Sequence, residues 1–327
     1  MSADDAGRVL GVGIATLDIV NVVAAYPPED AEVRAAGQRI ARGGNVANTL
    51  QVLAQLGRPC AWAGVLGTDA AAERISAAFA ADAIDHGHAV RVPGGATPTS
   101  YIALSRATGS RTIVHHRDLP ELTAADFADV PLEGIAWTHF EGRNPAETAR
   151  MLARVRDERP GLPISVEIEK PRAGIEALYQ GADVLIFARA FVQAADGADV
   201  GDPRAFLLHM AALTDARLLL LPWGADGAYG LARGAAEPVF ARACPPAVLR
   251  DSLGAGDVFN AAVIDGLLAM GLAMELATGL AADADGLAGL LARANRLAGH
   301  KCGQDGLGGL VASARAAGLL PATGRPA

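Results

Sequence analysis

The segment DSLGAGDVFNAAVIDGLLAMG, residues 251–271, carries the strongest signal for the fold. Gly254 and Gly256 let the backbone turn sharply and bring its N–H groups close to a ligand. The apolar run that follows predicts a helix, which places Asp257 in the first helical turn. Because the free N–H groups at a helix N-terminus bind anions, this segment predicts a carboxylate beside an oxyanion-binding nest.

Such an arrangement suits phosphoryl transfer, since a base can take a hydroxyl proton while backbone amides hold the charged transferring group. An ordinary glycine-rich turn is the alternative, with Asp257 only stabilising the helix dipole. A bare GxGD pattern would fit both interpretations equally. The complete string at 251–257 is more specific and favours the functional one.

A second glycine motif, RGGNVAN, spans residues 42–48. It precedes a helical pattern over 45–56, with Asn45 as the predicted N-cap and Gly57 as the predicted end. Asn45 and Asn48 are three residues apart, so both amides can face one pocket. Amides donate and accept hydrogen bonds, which suits vicinal hydroxyls. Taken alone, the motif would fit a glycine turn with an asparagine cap.

Strand-like segments alternate with helical patterns along most of the chain. The predicted strands are 8–14, 60–66, 136–140, 164–168, 183–187 and 217–221. This alternation predicts a mainly parallel sheet with helices on its faces. Segments 17–40 and 98–116 interrupt this alternation. The second segment is predicted to form a β-hairpin around residues 107–110. Together they are expected to form a small β layer.

Composition excludes several classes of function. The chain has 327 residues, 51% of them hydrophobic, and a net charge of −8, which argues against general nucleic-acid binding. No apolar run approaches the roughly 18 residues of a membrane helix. The three cysteines are far apart and the N-terminus lacks a signal-peptide pattern, so a cytoplasmic location is expected.

Several common motifs are absent from the sequence. The seven histidines form no zinc-binding spacing, and the GxxxxGK[ST] and GxGxxG patterns do not occur. A P-loop kinase and a dinucleotide-dependent dehydrogenase are therefore disfavoured.

The string at 251–257 resembles the DTxGAGD signature of the PfkB, or ribokinase-like, carbohydrate kinases, with Ser252 in place of threonine. RGGNVAN resembles the N-terminal glycine motif of that family. Further strings resemble the ketohexokinase branch, in the same order and at similar spacing over about residues 8–311. They are IATLDI at 14–19, YPPED at 26–30, HFEGRN at 139–144, VEIEKPR at 166–172 and GHKCG at 299–303.

The resemblance implies a fold. It is an α/β, ribokinase-like three-layer α/β/α sandwich with a mostly parallel central sheet and a small β-sheet lid. The whole chain, residues 1–327, would form one domain, with the lid made by about 17–40 and 98–116 inserted in it.

The resemblance also assigns catalytic roles. Asp257 would be the catalytic base, and Gly254, Ala255 and Gly256 would form the anion hole. Arg111 would reach the ATP phosphates, although Ser110 stands where the branch has asparagine. An exposed hairpin charge is the alternative for Arg111.

Sugar-binding residues follow in the same way from the matched motifs. They are Asp18, Asp30, Gly44, Asn45, Asn48 and Glu141. Asp30 would reach the partner subunit's sugar site in a homodimer clasped through the lids. A plain turn acid is an equally good interpretation of Asp30.

Nucleotide-binding residues would be Gly224, Gly227, Phe259, Ala298 and Cys302. Packing in the protein core is the alternative for the last three. The family uses Mg2+ with ATP, sometimes with a monovalent cation such as K+. Its metal-linked NxxE motif is missing, because residues 188–191 read ARAF, and the metal ligands stay open, with Glu167 and Glu169 as candidates.

The sequence thus predicts an ATP-dependent kinase that phosphorylates a primary hydroxyl of a ketohexose, with D-fructose as the leading substrate. Another polyol is the first alternative: ribose, a keto-deoxy sugar acid, a nucleoside or a sugar phosphate. A sugar-binding sensor without turnover is the second, and the intact Asp257 argues against it. No nucleic-acid or membrane partner is expected.

Overall fold

A computed structural model describes residues 7–194, 201–271 and 284–321. Its main element is a nine-stranded sheet. In chain order its strands are β1 (Arg8–Val12), β4 (Cys60–Ala63), β6 (Ile84–Asp85), β10 (Ile135–Glu141), β11 (Ile164–Ile168), β12 (Val184–Phe187), β13 (Leu218–Pro222), β14 (Gly227–Ala232) and β15 (Val239–Arg242). They lie side by side in the order β15-β14-β13-β12-β11-β10-β1-β4-β6. The pairs β13–β14 and β14–β15 are antiparallel, and the other neighbours are parallel.

Helices cover both faces of this sheet. They are α1 (Asn45–Gln55), α2 (Ala70–Ala81), α3 (Ala124–Phe127), α4 (Pro145–Glu158), α5 (Arg189–Ala194), α6 (Pro203–Leu213), α7 (Ala255–Ala269), α8 (Ala284–Cys302) and α9 (Leu310–Ala316), with a 3₁₀ turn at Ile175–Leu178. Because strand side chains alternate in direction, Val9 joins the core beneath α1, α7 and α8, whereas Leu10 joins the core beneath α4 and α6. The predicted layered α/β architecture is confirmed.

A separate small sheet stands beside the central one. Its four strands are β2 (Thr16–Val23), β3 (Gly37–Gly43), β8 (Ala96–Ser105) and β9 (Arg111–Asp118), in the order β3-β2-β8-β9. The predicted hairpin is confirmed, because β8 and β9 pair antiparallel. A short third sheet joins β5 (Val65–Leu66) to β7 (Val90–Arg91).

Two local predictions are wrong. The N-cap of α1 is Gly44 and not Asn45, because the cap residue has a φ of 101°, a value that favours glycine. A Cβ on Gly44 would also lie 2.2 Å from the Ile14 carbonyl oxygen. The predicted strand 60–66 is interrupted at Gly64, after which the chain leaves the central sheet to pair with β7.

Among the helices of the described residues, none has the length and apolar composition required to cross a membrane.

Helix α1 lies directly on strand β1 at Gly11. A Cβ added there would lie 2.6 Å from Cγ1 of Val46 and 2.7 Å from Cδ1 of Leu50. We therefore expect Gly11→Ala to force α1 away from the sheet and to lower the free energy of unfolding by about 1–3 kcal/mol, measured by chemical denaturation.

Gly289→Ala is the matched control, because an added Cβ at this position of α8 meets no atom within 4 Å. This change should raise the free energy of unfolding by about 0.5–1 kcal/mol. If Gly11→Ala were as stable as the wild type, α1 would not be in close contact with β1.

Candidate active site

The two glycine motifs of the sequence meet at the N-termini of α1 and α7. Asn48 lies in the first turns of α1, and its Nδ2 donates a hydrogen bond to Oδ2 of Asp257 over 2.8 Å. Thr49 Oγ1 donates to the backbone oxygen of Asp257 at 3.3 Å. These contacts join residues 209 and 208 positions apart in the sequence. The structure thus brings the carboxylate of the DSLGAGD motif to an amide of the RGGNVAN motif.

The loop before α7 has the backbone geometry expected of an anion nest. Gly254 caps the helix in the left-handed region with a φ of 82°, and no side chain caps the first turn. A Cβ on Gly256 would meet no atom within 4 Å, so there is open space beside this part of the loop. Asp257 lies in the first turn, as predicted. Gly256 can therefore present its N–H group next to a carboxylate, whereas the N–H group of Ala255 already donates to the Ser252 carbonyl oxygen at 3.3 Å.

Two further carboxylates stand at the ends of neighbouring parallel strands. Glu167 near the end of β11 accepts a hydrogen bond from Asn45 Nδ2 at 3.0 Å. Glu141 at the end of β10 accepts from the backbone N–H of Ile14 at 3.0 Å. Both glutamates are buried, as is Asp257. Carboxyl ends of parallel strands are the usual place for a ligand in open α/β sheets, and here that edge is acidic.

Burial dominates the electrostatics of this edge. It raises the pKa of Asp257 to about 8, and the charges of Glu169 and Glu141 act in the same direction. The hydrogen bond from Asn48 and the charge of Arg111 lower that pKa, although they do not offset burial. Burial and the charge of Asp257 raise the pKa of Glu167 well above its ordinary value. A carboxyl whose pKa is strongly perturbed by burial and by a neighbouring charge is a candidate functional residue.

The predicted sugar-binding carboxylate, Asp18, lies on β2 close to the RGGNVAN motif. It is buried and accepts a hydrogen bond from Thr16 Oγ1 at 2.7 Å. Burial raises its pKa, against the hydrogen bonds from Thr16 and Ser100. A Cβ on Gly43 would lie 2.0 Å from Oδ2 of Asp18. The motif therefore needs glycine at 43 to leave room for this carboxylate.

Arg111 begins β9 and is exposed. Its NH1 lies 3.3 Å from the hydroxyl oxygen of Ser252, next to the glycine loop. Its charge also lowers the pKa of Asp257. The structure therefore places this guanidinium on the same side as the candidate base.

Asp30 is not brought to this site within the chain. It occupies an exposed turn between β2 and β3 with a φ of 58°. Within the described residues it has no hydrogen bond or ion pair. Its predicted contact with a sugar therefore depends on a second subunit and stays a prediction.

The predicted nucleotide positions fall into two groups. Gly224 and Gly227 form the turn between β13 and β14 with positive φ values of 69° and 142°. Phe259 is 1% exposed and packs in the core beneath α7, so its side chain has no free face. Ala298 and Cys302 are half-buried on α8. For Phe259 the alternative interpretation, core packing, describes its place in the structure, and its contact with adenine stays a prediction.

Sequence reasoning did not select two arginines near the same edge. Arg143 pairs with Glu141 at 3.3 Å and with Glu121 at 3.0 Å. Arg189 follows the end of β12, and its guanidinium lies 5.0 Å from the ring centre of Trp223. Both arginines belong to strings quoted above, HFEGRN and ARAF. A string does not show, however, whether an arginine already pairs with a carboxylate or an aromatic ring.

Metal binding has no ready-made protein cage in the described part of the chain, where no group of three or more His, Cys, Asp or Glu side chains is placed to hold an ion. Glu167 and Glu169 stay the candidates, and the charge of Glu169 raises the pKa of both Glu167 and Asp257.

The chain is similar to known proteins in sequence and in fold. The model of the family described as "pfkB family carbohydrate kinase" matches residues 7–311. Mouse ketohexokinase is 35% identical over 271 residues, which cover 79% of this chain and 88% of that protein.

Among solved structures, the fold is similar to that of ribokinase from Giardia lamblia, with a TM-score of 0.76, 16% identity and coverage of 92% and 94% of the two chains. It is also similar to that of fructokinase with bound ATP from Xylella fastidiosa, with a TM-score of 0.74, 17% identity and coverage of 95% and 99%. These likenesses establish the ribokinase-like fold.

The raised pKa of Asp257 predicts a stability cost in the ligand-free protein. The unfolded carboxyl loses its proton near its ordinary pKa of 3.8, whereas the folded one keeps it up to about 8. Stability is therefore lost as the pH rises between these values. We expect Asp257→Asn to melt several degrees above the wild type at pH 8, and by a smaller margin at pH 5.

Thermal unfolding of the ligand-free proteins at the two pH values measures this difference. Asp129→Asn is the control, because Asp129 is exposed and should leave the melting temperature unchanged. Equal melting temperatures of wild type and Asp257→Asn at pH 8 would contradict a raised pKa.

Proposed function

Because the chain belongs to the pfkB family of carbohydrate kinases and is a sugar kinase, we propose that it transfers the γ-phosphoryl group of ATP to a primary hydroxyl of a ketohexose. D-fructose is the proposed substrate and fructose 1-phosphate the product, and the 35% identity to mouse ketohexokinase supports this choice. The observation that carries the proposal is the 2.8 Å hydrogen bond between Asn48 and Asp257. A cytoplasmic location, predicted from the sequence, is part of the same proposal.

In the proposed reaction, Asp257 takes the proton of the sugar hydroxyl. The hydroxyl oxygen then forms a bond to the γ-phosphorus, while the bond from that phosphorus to the bridging oxygen breaks and ADP leaves. N–H groups of Gly254, Ala255 and Gly256 stabilise the charge on the transferring group. Arg111 adds a positive charge on the same side. Asn48 keeps the Asp257 carboxylate oriented by its hydrogen bond.

The sugar is proposed to lie between β2 and the first turn of α1. Asp18 can accept from two hydroxyls, and Gly44 lets the backbone approach the sugar closely. Asn45 and Glu141 line the same region. Asn45 is engaged by its hydrogen bond to Glu167, and Glu141 accepts one hydrogen bond from Ile14 and one from Arg143. Their remaining donors and lone pairs are available to hydroxyls.

ATP is the proposed phosphoryl donor, which the bound ATP of the fructokinase from Xylella fastidiosa supports. The turn with Gly224 and Gly227 and the α8 face with Ala298 and Cys302 are the proposed walls of the nucleotide site, and Phe259 would support it from the core.

Mg2+ fits the donor set, because a lone magnesium needs only one or two carboxylates besides the nucleotide phosphates. Glu167 and Glu169 would hold it, directly or through water. The ion would offset part of the phosphate charge at this acidic edge. A requirement for a monovalent cation such as K+, which some family members have, belongs to the same proposal and is tested by omitting K+ from the assay.

The small sheet supports the proposed homodimer. Ile40, Ile19, Tyr101 and Val114 are register partners, so they form one row across all four strands. Tyr101 is 51% exposed and Val114 is 64% exposed. An apolar row of this kind in water is typical of an interaction surface. Covering it with the same sheet of a second copy would carry the turn with Asp30 toward the partner.

A coupled ADP-release assay over a panel of sugars tests the reaction. The panel contains fructose, ribose, a keto-deoxy sugar acid, a nucleoside and fructose 6-phosphate. We expect the fastest turnover with fructose, and a loss of about 10²–10⁴-fold in kcat for Asp257→Asn with sugar affinity retained. The exposed Asp129→Asn again serves as the control.

If a different sugar gave the fastest turnover, that sugar would be the substrate and the proposed kinase activity would stand. Binding of fructose by the wild type without any ADP release would favour a sensor and reject the catalytic role of Asp257.

Sedimentation tests the dimer. We expect Val114→Glu to give a monomer, because a charge in the apolar row opposes its burial. Val248→Glu is the matched control, since Val248 is 65% exposed but lies outside the small sheet. The monomer should also have a raised KM for the sugar. A monomer with an unchanged KM would remove Asp30 from the sugar site.

A further inference from the structure

Three residues of the DSLGAGD motif, Asp251, Ser252 and Leu253, have no part in the proposed chemistry. Each of them nevertheless contacts a strand of the small sheet. NH2 of Arg39 on β3 pairs with Oδ2 of Asp251 at 2.7 Å. NH1 of Arg111 on β9 lies 3.3 Å from Oγ of Ser252. The glycine loop is therefore connected to both edge strands of this sheet.

Leu253 makes the apolar contact between the loop and the middle of the sheet. The small sheet has its own buried cluster of Val20, Ile102 and Leu104, and Leu253 packs against it together with Val22. Since Gly254 follows directly, the position of Leu253 in this cluster sets where the anion nest begins.

Asp251 is anchored on its other side as well. Asp251 and Lys301 are both 0% exposed, and Nζ of Lys301 lies 2.9 Å from Oδ2 and 2.7 Å from the backbone oxygen of Asp251. The N–H groups of Gly306 and Leu253 donate to the same carboxylate at 3.1 Å and 2.9 Å. Asp251 thus joins β3, the end of α8 and the glycine loop.

A buried charge cannot leave its partners without a large desolvation penalty, so this joint has one favoured geometry. The turn of the β8–β9 hairpin adds a further contact, because a Cβ on Gly109 would lie 2.8 Å from Cδ2 of Leu249. The small sheet and segment 249–253 are therefore in contact at four points along five consecutive residues.

The same small sheet carries the sugar side of the site. Asp18 is on β2, and Gly43, which borders its carboxylate, is on β3. A ligand that holds Asp18 in place also holds the sheet, and through Arg39 and Leu253 it holds the glycine loop. A ligand can couple two sites in this way when it favours one position of a shared element.

We propose that Arg39 and Leu253 are positioning residues that transmit the position of the small sheet to the glycine loop, so that bound sugar raises the affinity for the nucleotide and bound nucleotide raises the affinity for the sugar. This inference rests on the proposed function, because it takes Asp18 as a sugar ligand and the glycine loop as the phosphate site.

The test is the dissociation constant of a non-hydrolysable ATP analogue with Mg2+, measured by calorimetry with and without a saturating sugar. The sugar is the one with the fastest turnover in the panel assay. For the wild type we expect the sugar to tighten analogue binding by about 5–150-fold. In the double variant Arg39→Gln/Leu253→Ala this ratio should fall to within about twofold of one.

Gln38→Ala is the matched control. Gln38 neighbours Arg39 on β3, but its side chain bonds Asn21 within the small sheet, at 2.8 Å. It should keep the wild-type ratio. Arg39→Lys and Leu253→Met should restore most of the coupling, since the first keeps the charge that pairs with Asp251 and the second keeps the apolar volume.

The reciprocal measurement separates positioning from a merely structural role. If coupling is lost, the effect of sugar on nucleotide affinity and the effect of nucleotide on sugar affinity should fall by the same factor. General destabilisation would instead lower the melting temperature and leave both effects unchanged. If the double variant does not fold, Arg39→Gln and Leu253→Ala are measured separately.

A wild-type ratio of one would overturn this inference, and so would a double variant that keeps the wild-type ratio. In both cases the proposed function stands if the wild type turns over a sugar of the panel. The absence of turnover with every sugar of the panel would instead reject the proposed function, and this inference with it.

Discussion

The hydrogen bond from Asn48 to Asp257 is the constraint on which the site depends. A buried carboxylate needs a partner, and within the described ranges the side-chain amide of Asn48 on α1 is the group that donates a hydrogen bond to it. The bond requires the N-termini of α1 and α7 to lie side by side, which in turn requires α1 to approach β1 closely at Gly11. The packing of α1 on β1 therefore also fixes the orientation of the candidate base, Asp257.

The acidic edge of the central sheet shows a conflict between stability and function. Asp257, Glu141 and Glu167 are buried near one another, and burial raises the pKa of each. A core designed for stability alone would avoid this arrangement. It becomes favourable when cationic groups arrive, and under the proposed function these are the metal ion and Arg111 beside the nucleotide phosphates.

The small sheet has two faces with different tasks. One face carries the cluster of Val20, Ile102 and Leu104 that receives Leu253, and the other carries the exposed apolar row with Tyr101. Period-two alternation produces both faces from the same strands, because successive side chains point to opposite sides of the sheet. The element proposed to meet a second subunit is therefore also the element that contacts the glycine loop.

The sequence by itself determined the layered α/β class, the β8–β9 hairpin and the helix that begins at the DSLGAGD motif, because these depend on local periodicity and glycine placement. It also singled out Asp18, Asn48 and Asp257, since their motifs are local strings. Tertiary structure alone decided which groups are paired: it engaged Asn45 with Glu167, placed Phe259 in the core and joined Arg39 to Asp251 across 212 positions. Local patterns record the conformation of a segment, whereas burial and partners depend on what packs against it from distant parts of the chain.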